Sequence, residues 1–299
     1  MTSPVYLIDA SIFVFRAWHA VPNTLVDPDG NPVNALHGFA RFIGDVVEQV
    51  RPQHIAVAFD ESLRNSFRNQ IYPAYKANRE PAPQELKRQF ALCKQVCTAL
   101  GISIFASDAF EADDIIGTLA TRMRAQGKQI VLLSRDKDLT QLIRPGDVYW
   151  DYLGEKRYHY DDIPQKFGVL PERMACYLAL MGDAVDNIRG VPGVGPKTAS
   201  MLFKHFESIH HLYDNLDQVL KLKLRNPGFV AGQLRDHKEA ALLARKLTEI
   251  ACDMPLDADL DALQRRQPDL SRLHELYEAA NFGPLLRHQA ERIARALAA

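Results

Sequence analysis

Three short apolar runs, Val5-Tyr6-Leu7-Ile8, Ile55-Ala56-Val57-Ala58-Phe59 and Ile130-Val131-Leu132-Leu133, constrain the fold more than any other feature of the chain. Uncharged stretches of this length read as strands buried on both faces, the pattern of a parallel sheet covered by helices. Asp9 and Asp60 follow the first two runs directly, and Asp136 and Asp138 follow the third within a few residues. In open α/β sheets the ligand crevice lies beyond the carboxyl ends of the strands. The expectation is therefore an α/β fold, a mainly parallel central sheet flanked by helices, with acids along one rim. From Glu172 onward the pattern is mostly helical, and the amphipathic stretch Leu242 to Leu247 reads as core packing. With 299 residues, 47% of them hydrophobic, the chain can bury one large core and a smaller helical lobe. The domain division expected is 1–171 and 172–299.

The acids themselves are unusual in number and spacing. Seven recur in three tight clusters, Glu111-Ala112-Asp113-Asp114, Asp136-Lys137-Asp138 and Asp183-Ala184-Val185-Asp186, beside Asp9 and Asp60. Glu111, Asp113 and Asp114 open the helical pattern Ile115 to Ala120, where the helix dipole favours negative charge. Carboxylates a few ångströms apart repel and are driven to protonate unless a cation relieves them. Hard oxygen ligands select Mg²⁺ or Mn²⁺ over zinc, and no Cys/His set with zinc spacing competes. Two such ions roughly 4 Å apart are the common machinery of phosphodiester cleavage. Taken singly, each acid has a blander reading as a helix cap, a charged first turn or a solvated turn. Their joint placement at strand ends argues for a shared site.

Downstream, Gly190-Val191-Pro192-Gly193-Val194-Gly195-Pro196-Lys197-Thr198-Ala199 reads as a tight hairpin entering a helix. Its backbone N–H groups and the helix N-terminus suit a phosphate, and Lys197 adds a point charge. A nucleotide-binding P-loop is a poor match, because Pro196 separates Gly195 from Lys197 and no strand precedes the first glycine. A helix-hairpin-helix gripping a nucleic-acid backbone fits better.

Between Ser62 and Lys94 lie Arg64, Arg68, Lys76, Arg79, Lys87, Arg88 and Lys94 against Glu80 and Glu85, a local balance of +5 in a chain whose net charge is −1. Tyr72 and Tyr75 sit among these charges, and aromatics on a basic track hold single strands without sequence preference. A solvated helix face is the competing reading. The near-neutral total argues against indiscriminate DNA coating, so binding strength has to come from local patches. No apolar stretch approaches the roughly 20 residues that span a bilayer, and Val5 to Ile8 is too short for a signal peptide, so a cytoplasmic protein is expected. Four cysteines, with Cys93 and Cys97 on one helix face, fit reduced thiols.

Leu7-Ile8-Asp9-Ala10-Ser11, Tyr75-Lys76-Ala77-Asn78-Arg79, Glu111 to Asp114, Met181-Gly182-Asp183-Ala184-Val185-Asp186-Asn187 and Gly190 to Lys197 together resemble the bacterial and phage 5′ nucleases of the flap endonuclease superfamily. The likeness runs in order from about Val5 to about Leu286 and extends to the 5′-to-3′ exonuclease domain of DNA polymerase I. It implies a PIN-like nuclease core with a helical arch at about 62–94, and a helical lobe holding a helix-hairpin-helix at about 183–206. By the resemblance Asp9, Asp60, Glu111 and Asp113 hold one metal and Asp136, Asp138, Asp183 and Asp186 a second. Asp114 orients ligands or metal waters. Lys76 and Arg79 act near the scissile phosphate, with Tyr75 as a stacking neighbour and Arg16 also facing the phosphate. Gly190, Gly193, Gly195, Lys197 and Thr198 grip the duplex. The implied cofactors are two Mg²⁺, with Mn²⁺ able to substitute, and a K⁺ on the hairpin carbonyls. The implied substrate is 5′-flap, branched or 5′-ended DNA, cut by a monomer working beside a separate polymerase and ligase.

Some positions depart from the family pattern. No polymerase or proofreading sequence follows Ala299, so coupling to synthesis is expected to come from another protein. Ser66 replaces a common Thr, and Ala82 stands inside an Arg-x-Pro-x-Pro run, Arg79 to Pro83; neither touches an expected ligand. Two other classes share parts of the pattern. A PIN-type ribonuclease has the acidic rim without needing the hairpin or arch, and a non-catalytic DNA-structure binder needs the hairpin but not the acids.

Overall fold

The computed structural model describes residues 3–61 and 65–298. In chain order the elements begin with β1 (Val5–Asp9), α1 (Ala10–Ala20), α2 (Asn34–Val50), β2 (His54–Asp60), α3 (Phe67–Ile71), α4 (Gln84–Ala99) and β3 (Ser103–Ser107). Next come α5 (Ala112–Ala125), β4 (Ile130–Leu133), β5 (Val148–Asp151), β6 (Lys156–Tyr158), α6 (Asp162–Phe167) and α7 (Met174–Met181). The chain ends with β7 (Gly182–Asp183), β8 (Ile188–Arg189), α8 (Pro196–His205), α9 (Ile209–Asp214), α10 (Pro227–Asp236), α11 (Lys238–Thr248), α12 (Leu270–Ala279) and α13 (Pro284–Ala298). These elements form two compact units, Met1–Glu61 with Pro81–Arg135 and Cys252–Ala299, and Ser62–Glu80 with Asp136–Ala251.

In the first unit the strands lie in the order β3-β2-β1-β4 and every pairing is parallel. The three apolar runs form β1, β2 and β4, and Val5, Leu7, Ile8, Ile55, Val57, Phe59, Leu132 and Leu133 are buried. The edge strand β3 is half-buried Ser-Ile-Phe-Ala-Ser and gives no continuous apolar run, so it was not among the expected strands. Leu36, Phe39, Ile43, Val46 and Val47 form the inward stripe of α2, and the Phe42 ring stacks on Phe13 of α1. Arg51 closes α2 in the left-handed region, and Pro52 prevents its continuation.

The second unit is built round α7, whose residues from Met174 to Leu180 are all buried. The amphipathic stretch expected near Leu242 is α11, which packs Ala241, Ala244, Leu247 and Thr248 inward. Residue 172 lies within the second unit, and α12 and α13 belong to the first, where they pack on α4 and α2. The stretch expected to act as one arch, 62–94, is likewise divided, with 62–80 in the second unit and α4 in the core of the first. Leu86, Gln89, Cys93, Val96 and Cys97 form the buried stripe of α4, which ties that half of the stretch to the first unit.

Candidate functional site

The first carboxylate set is held by strand ends and one helix start. Asp9 and Asp60 close the neighbouring parallel strands β1 and β2. Asp9 does not cap α1 with its side chain; it is buried, and Ser134 Oγ donates to it over 2.9 Å. Asp60 accepts from Ser11 Oγ at 2.6 Å and from the Ala112 N–H, in the first turn of α5, at 2.9 Å. The dipole of α5 favours the charge it meets there. Glu111 is buried at the N-cap of the same helix and Asp113 is half-buried in its first turn. Asp114 is fully buried and accepts the Glu111 N–H at 3.0 Å, fixing the backbone of the carboxylate beside it.

The second set lies wholly in the other unit. Asp136 precedes a short 3₁₀ helix, Lys137–Leu142, and accepts the Asp138 N–H at 2.9 Å, so here the capping reading is correct for one oxygen. Asp183 ends β7, and its Oδ1 accepts the Val185 N–H at 2.8 Å and the Asp186 N–H at 3.3 Å. Lys137 Nζ stands 3.6 Å from Asp183, while Arg79 pairs with Asp186 and Lys76 Nζ lies 3.9 Å from it.

Burial pushes the Asp138 carboxyl up to about 8, with the charge of Asp136 the next cause and those of Asp183 and Asp186 behind it. Burial likewise raises Asp136, and Asp186 and Asp183 push in the same direction. Asp138 Oδ1 is buried with no hydrogen-bond donor. An orphaned buried oxygen among mutually repelling carboxylates is a donor set that a hard divalent cation satisfies. No group of three or more His, Cys, Asp or Glu among the described residues is placed to hold a metal as it stands. The counter-ions of the second set are instead Lys76, Arg79 and Lys137, which a cation has to outcompete. The donor chemistry therefore fits a metal, and the present side-chain pairing is that of a charge-compensated set.

A pH dependence follows. Between the ordinary carboxyl value of 3.8 and about 8, folded protein retains a proton on Asp138 that the unfolded chain has released. Stability from this group is thus present at low pH and lost as pH rises through about 8. In EDTA, the thermal midpoint of the wild type is expected to fall relative to that of Asp138→Asn as pH is raised from about 4 to about 8. Parallel pH profiles for the two proteins would exclude a raised Asp138.

The basic segment is mostly consumed by the fold. Arg64 lies outside the described residues. Arg68 is 2% exposed and donates from Nε to the Leu247 carbonyl at 2.9 Å and from Nη2 to that of Glu249 at 2.7 Å. Arg88 pairs with Asp27 and Lys94 with Glu61. Tyr75 is 3% exposed and its hydroxyl donates to Asp186 Oδ2 at 3.2 Å, which corrects its expected place as a stacking surface: the ring belongs to the core. Around it the turn 72–79 is clasped to the Asp183–Asn187 loop. The Lys76 N–H donates to the Asp186 carbonyl at 3.0 Å, Asn78 Nδ2 to the Ala184 carbonyl at 2.9 Å and Asn187 Nδ2 to the Ala74 carbonyl at 2.7 Å. Lys76 and Asn187 both take left-handed backbone to make this fit. Lys76 and Arg79 thus meet the second carboxylate set itself. Arg16 is exposed on α1.

Downstream, Val191 and Val194 are buried and bridge a turn through the Val194 N–H to Val191 carbonyl bond of 3.0 Å. Pro192 and Gly193 form its tip, with Gly193 at φ +78° as the third position of a type II turn demands. Pro192, Gly193, Gly195, Pro196 and Lys197 are exposed, and Thr198 is half-buried. Gly195 precedes α8 without a side-chain cap, which leaves the first N–H groups of that helix open to a ligand. Gly190 also has a packing task. It crosses the backbone at Met181 and Gly182 so closely that neither it nor Gly182 has room for a Cβ.

The family model for the 5′-3′ exonuclease N-terminal resolvase-like domain matches residues 4–168, and that for the 5′-3′ exonuclease C-terminal SAM fold matches residues 169–271. The chain belongs to the 5′-3′ exonuclease family. It is 35% identical over 259 residues to a 5′-3′ exonuclease of Buchnera aphidicola, covering 86% of this chain and 90% of that one. It is 36% identical over 294 residues to DNA polymerase I of Rhizobium leguminosarum; this covers 96% of the chain but spans only 28% of the polymerase. The T5 D15 protein, co-crystallised with metal ions, shares the fold at a TM-score of 0.68 and 18% identity over 98% of each chain.

In this exonuclease-family chain, the residues that sequence reasoning passed over are chiefly hydrogen-bond donors. Ser11 and Ser134 orient Asp60 and Asp9, and Asn78 and Asn187 fasten the 72–79 turn. Ser11 carried a faint signal, standing two residues after Asp9. Ser134 carried the same kind, directly after β4.

Proposed function

We propose that this chain is a structure-specific 5′ nuclease that hydrolyses phosphodiester bonds in 5′-flap or 5′-ended DNA. The observation that supports it most is the buried Asp138 oxygen without a donor, in a set with Asp136, Asp183 and Asp186 where burial first, and neighbouring charge after it, raises Asp136 and Asp138. Asp9, Asp60, Glu111 and Asp113 would hold one Mg²⁺ and Asp136, Asp138, Asp183 and Asp186 the other. Bound divalent cations supply hydroxide at neutral pH and neutralise charge on the leaving oxygen. Asp114 fixes Glu111, and Ser11 and Ser134 hold Asp60 and Asp9 in one orientation, so the first set is ordered before it is loaded. Lys76 and Arg79 serve the second set as counter-ions at Asp186, and their charges would also stabilise a phosphate brought to that set. The Gly193 turn and Lys197 would hold the duplex backbone, where a K⁺ bound at the turn would add positive charge toward the phosphates.

This reading places the protein in DNA replication or repair, in the cytoplasm, working beside a polymerase and a ligase. Among the described residues no helix is long and apolar enough to cross a membrane. Cleavage of a 5′-flap DNA and of a matched single-stranded RNA, each with and without Mg²⁺, tests it. Mg²⁺-dependent cutting of the flap alone is expected. Preferential RNA cutting would favour a PIN-type ribonuclease, and tight flap binding without cutting a DNA-structure binder.

Lys197→Ala is expected to weaken duplex binding across sequences and to lower the salt dependence by about one unit, the effect of one lost phosphate contact. Single-turnover cutting at saturating enzyme should be nearly preserved. A collapse of that saturated rate at normal affinity would place Lys197 in the chemistry.

A further inference from the structure

Some exposed basic residues that the nuclease reading leaves unused lie in the hairpin segment and in the segment that leads to Phe229. From Lys221 to Arg235 the chain holds Lys221, Lys223, Arg225 and Arg235 and no carboxylate, and from Gly190 to His205 it holds Lys197 and Lys204 and again none. In a chain of net charge −1 these are two local reservoirs of positive charge within one unit. Lys221, Lys223 and Arg225 are all exposed, while Leu222 and Leu224 between them are half-buried, so the leucines anchor the segment and the cations project from it. No ion pair consumes Lys221, Lys223 or Arg225 among the described residues.

Phe229 joins this segment to the hairpin. Its ring lies over Gly193 so closely that a Cβ there would come within 2.5 Å of Phe229 Cε1, yet the residue remains 50% exposed. Asn226 fixes its backbone, since the Asn226 side chain accepts the Phe229 N–H at 3.1 Å at the start of α10. Gly193 therefore serves two purposes, allowing the positive φ of the turn and admitting a flat ring against its backbone. An exposed aromatic held against a turn tip, in a chain segment whose charges are all positive, is a surface for an anionic polymer that also offers apolar faces.

We propose that Phe229, with Lys221, Lys223 and Arg225, forms a second contact for the duplex arm of the DNA, the ring lying on the deoxyribose face of the backbone and the three cations on successive phosphates. This rests on the nuclease reading and extends the footprint past the Gly193 turn to residues 221–229. The hairpin then contributes position, and the adjoining segment contributes most of the salt-dependent strength.

The test is equilibrium binding of an unbranched, fluorescently labelled DNA duplex in EDTA, measured against salt for the wild type and four variants. Lys221→Ala/Lys223→Ala/Arg225→Ala is expected to lower the salt slope by two to three units, close to 0.9 per lost phosphate contact. Phe229→Ala should weaken binding about five- to tenfold with the slope unchanged, since no charge is lost. Phe229→Leu, which keeps an apolar cover on Gly193 and so guards against misfolding, should bind as weakly as the Ala variant. Lys197→Ala is the reference. If it weakens binding while the triple variant and Phe229→Leu bind like the wild type, the second contact is refuted and the nuclease reading stands. If the wild type itself ignores duplex DNA, both fall.

Discussion

Asp136→Asn and Asp138→Asn are each expected to lower the cleavage rate by a factor of about a thousand or more, roughly 4 kcal/mol, while leaving flap binding within about tenfold. An amide keeps the size of the carboxylate but gives up the charge that a divalent cation requires. The hairpin and its basic neighbours stand on separate elements and keep their hold on the duplex. A metal-free melt should respond oppositely: burial, with the charge of Asp136 behind it, makes the wild-type carboxyl take up a proton on folding, so Asp138→Asn is expected to melt above the wild type at neutral pH. Mg²⁺ should then raise the wild-type melting temperature by more than that of the variant, which keeps only the first carboxylate set whole. Stopped-assay rates at saturating enzyme and melts with and without Mg²⁺ read both effects. Unchanged turnover in both variants would remove these residues from the ligand set.

The second large effect concerns Lys76 and Arg79. Each Ala variant should cut at least about tenfold more slowly at saturation, a loss of roughly 1.4 kcal/mol or more, because an interaction made with the reacting phosphate is stronger in the transition state than in the ground state. Both residues pair with Asp186 in this structure, so the same substitutions also remove cations that compete with metal. The Mg²⁺ concentration for half-maximal rate is therefore expected to fall in Arg79→Ala while the plateau rate falls too. A purely compensating role would lower the Mg²⁺ requirement and leave the plateau intact, and that result would withdraw the catalytic assignment. Lys87→Ala is the control, expected to lose salt-sensitive affinity and keep the plateau.

The misreadings in the 62–94 stretch have one physical origin. Arg68 was counted as part of a substrate track, yet its partners are the carbonyls of Leu247 and Glu249, far along the chain, and no local pattern announces them. Tyr75 looked like an exposed stacking ring because its neighbours are charged, and it is buried because the hydroxyl finds Asp186. Charge and aromaticity are local properties, whereas burial depends on what arrives from elsewhere in the chain. Phe229 carries no sequence signal at all: its 50% exposure and its place against Gly193 come from the fold alone.

What the amino-acid order determined by itself was the set of strands buried on both faces, the acids that close them, and the chemical type of the site. Continuous apolar runs admit few other folds, and clustered carboxylates demand a cation whatever surrounds them. Only the tertiary structure decided which oxygens are already satisfied and which are not: Asp60 by Ser11 and Ala112, Asp9 by Ser134, and Asp138 Oδ1 by nothing. It also decided that α12 and α13 return to the first unit, and that Lys76 and Arg79 meet the second carboxylate set through Asp186. Such pairings join residues that are remote in the chain, and their energy depends on distance and desolvation, which one-dimensional order does not carry.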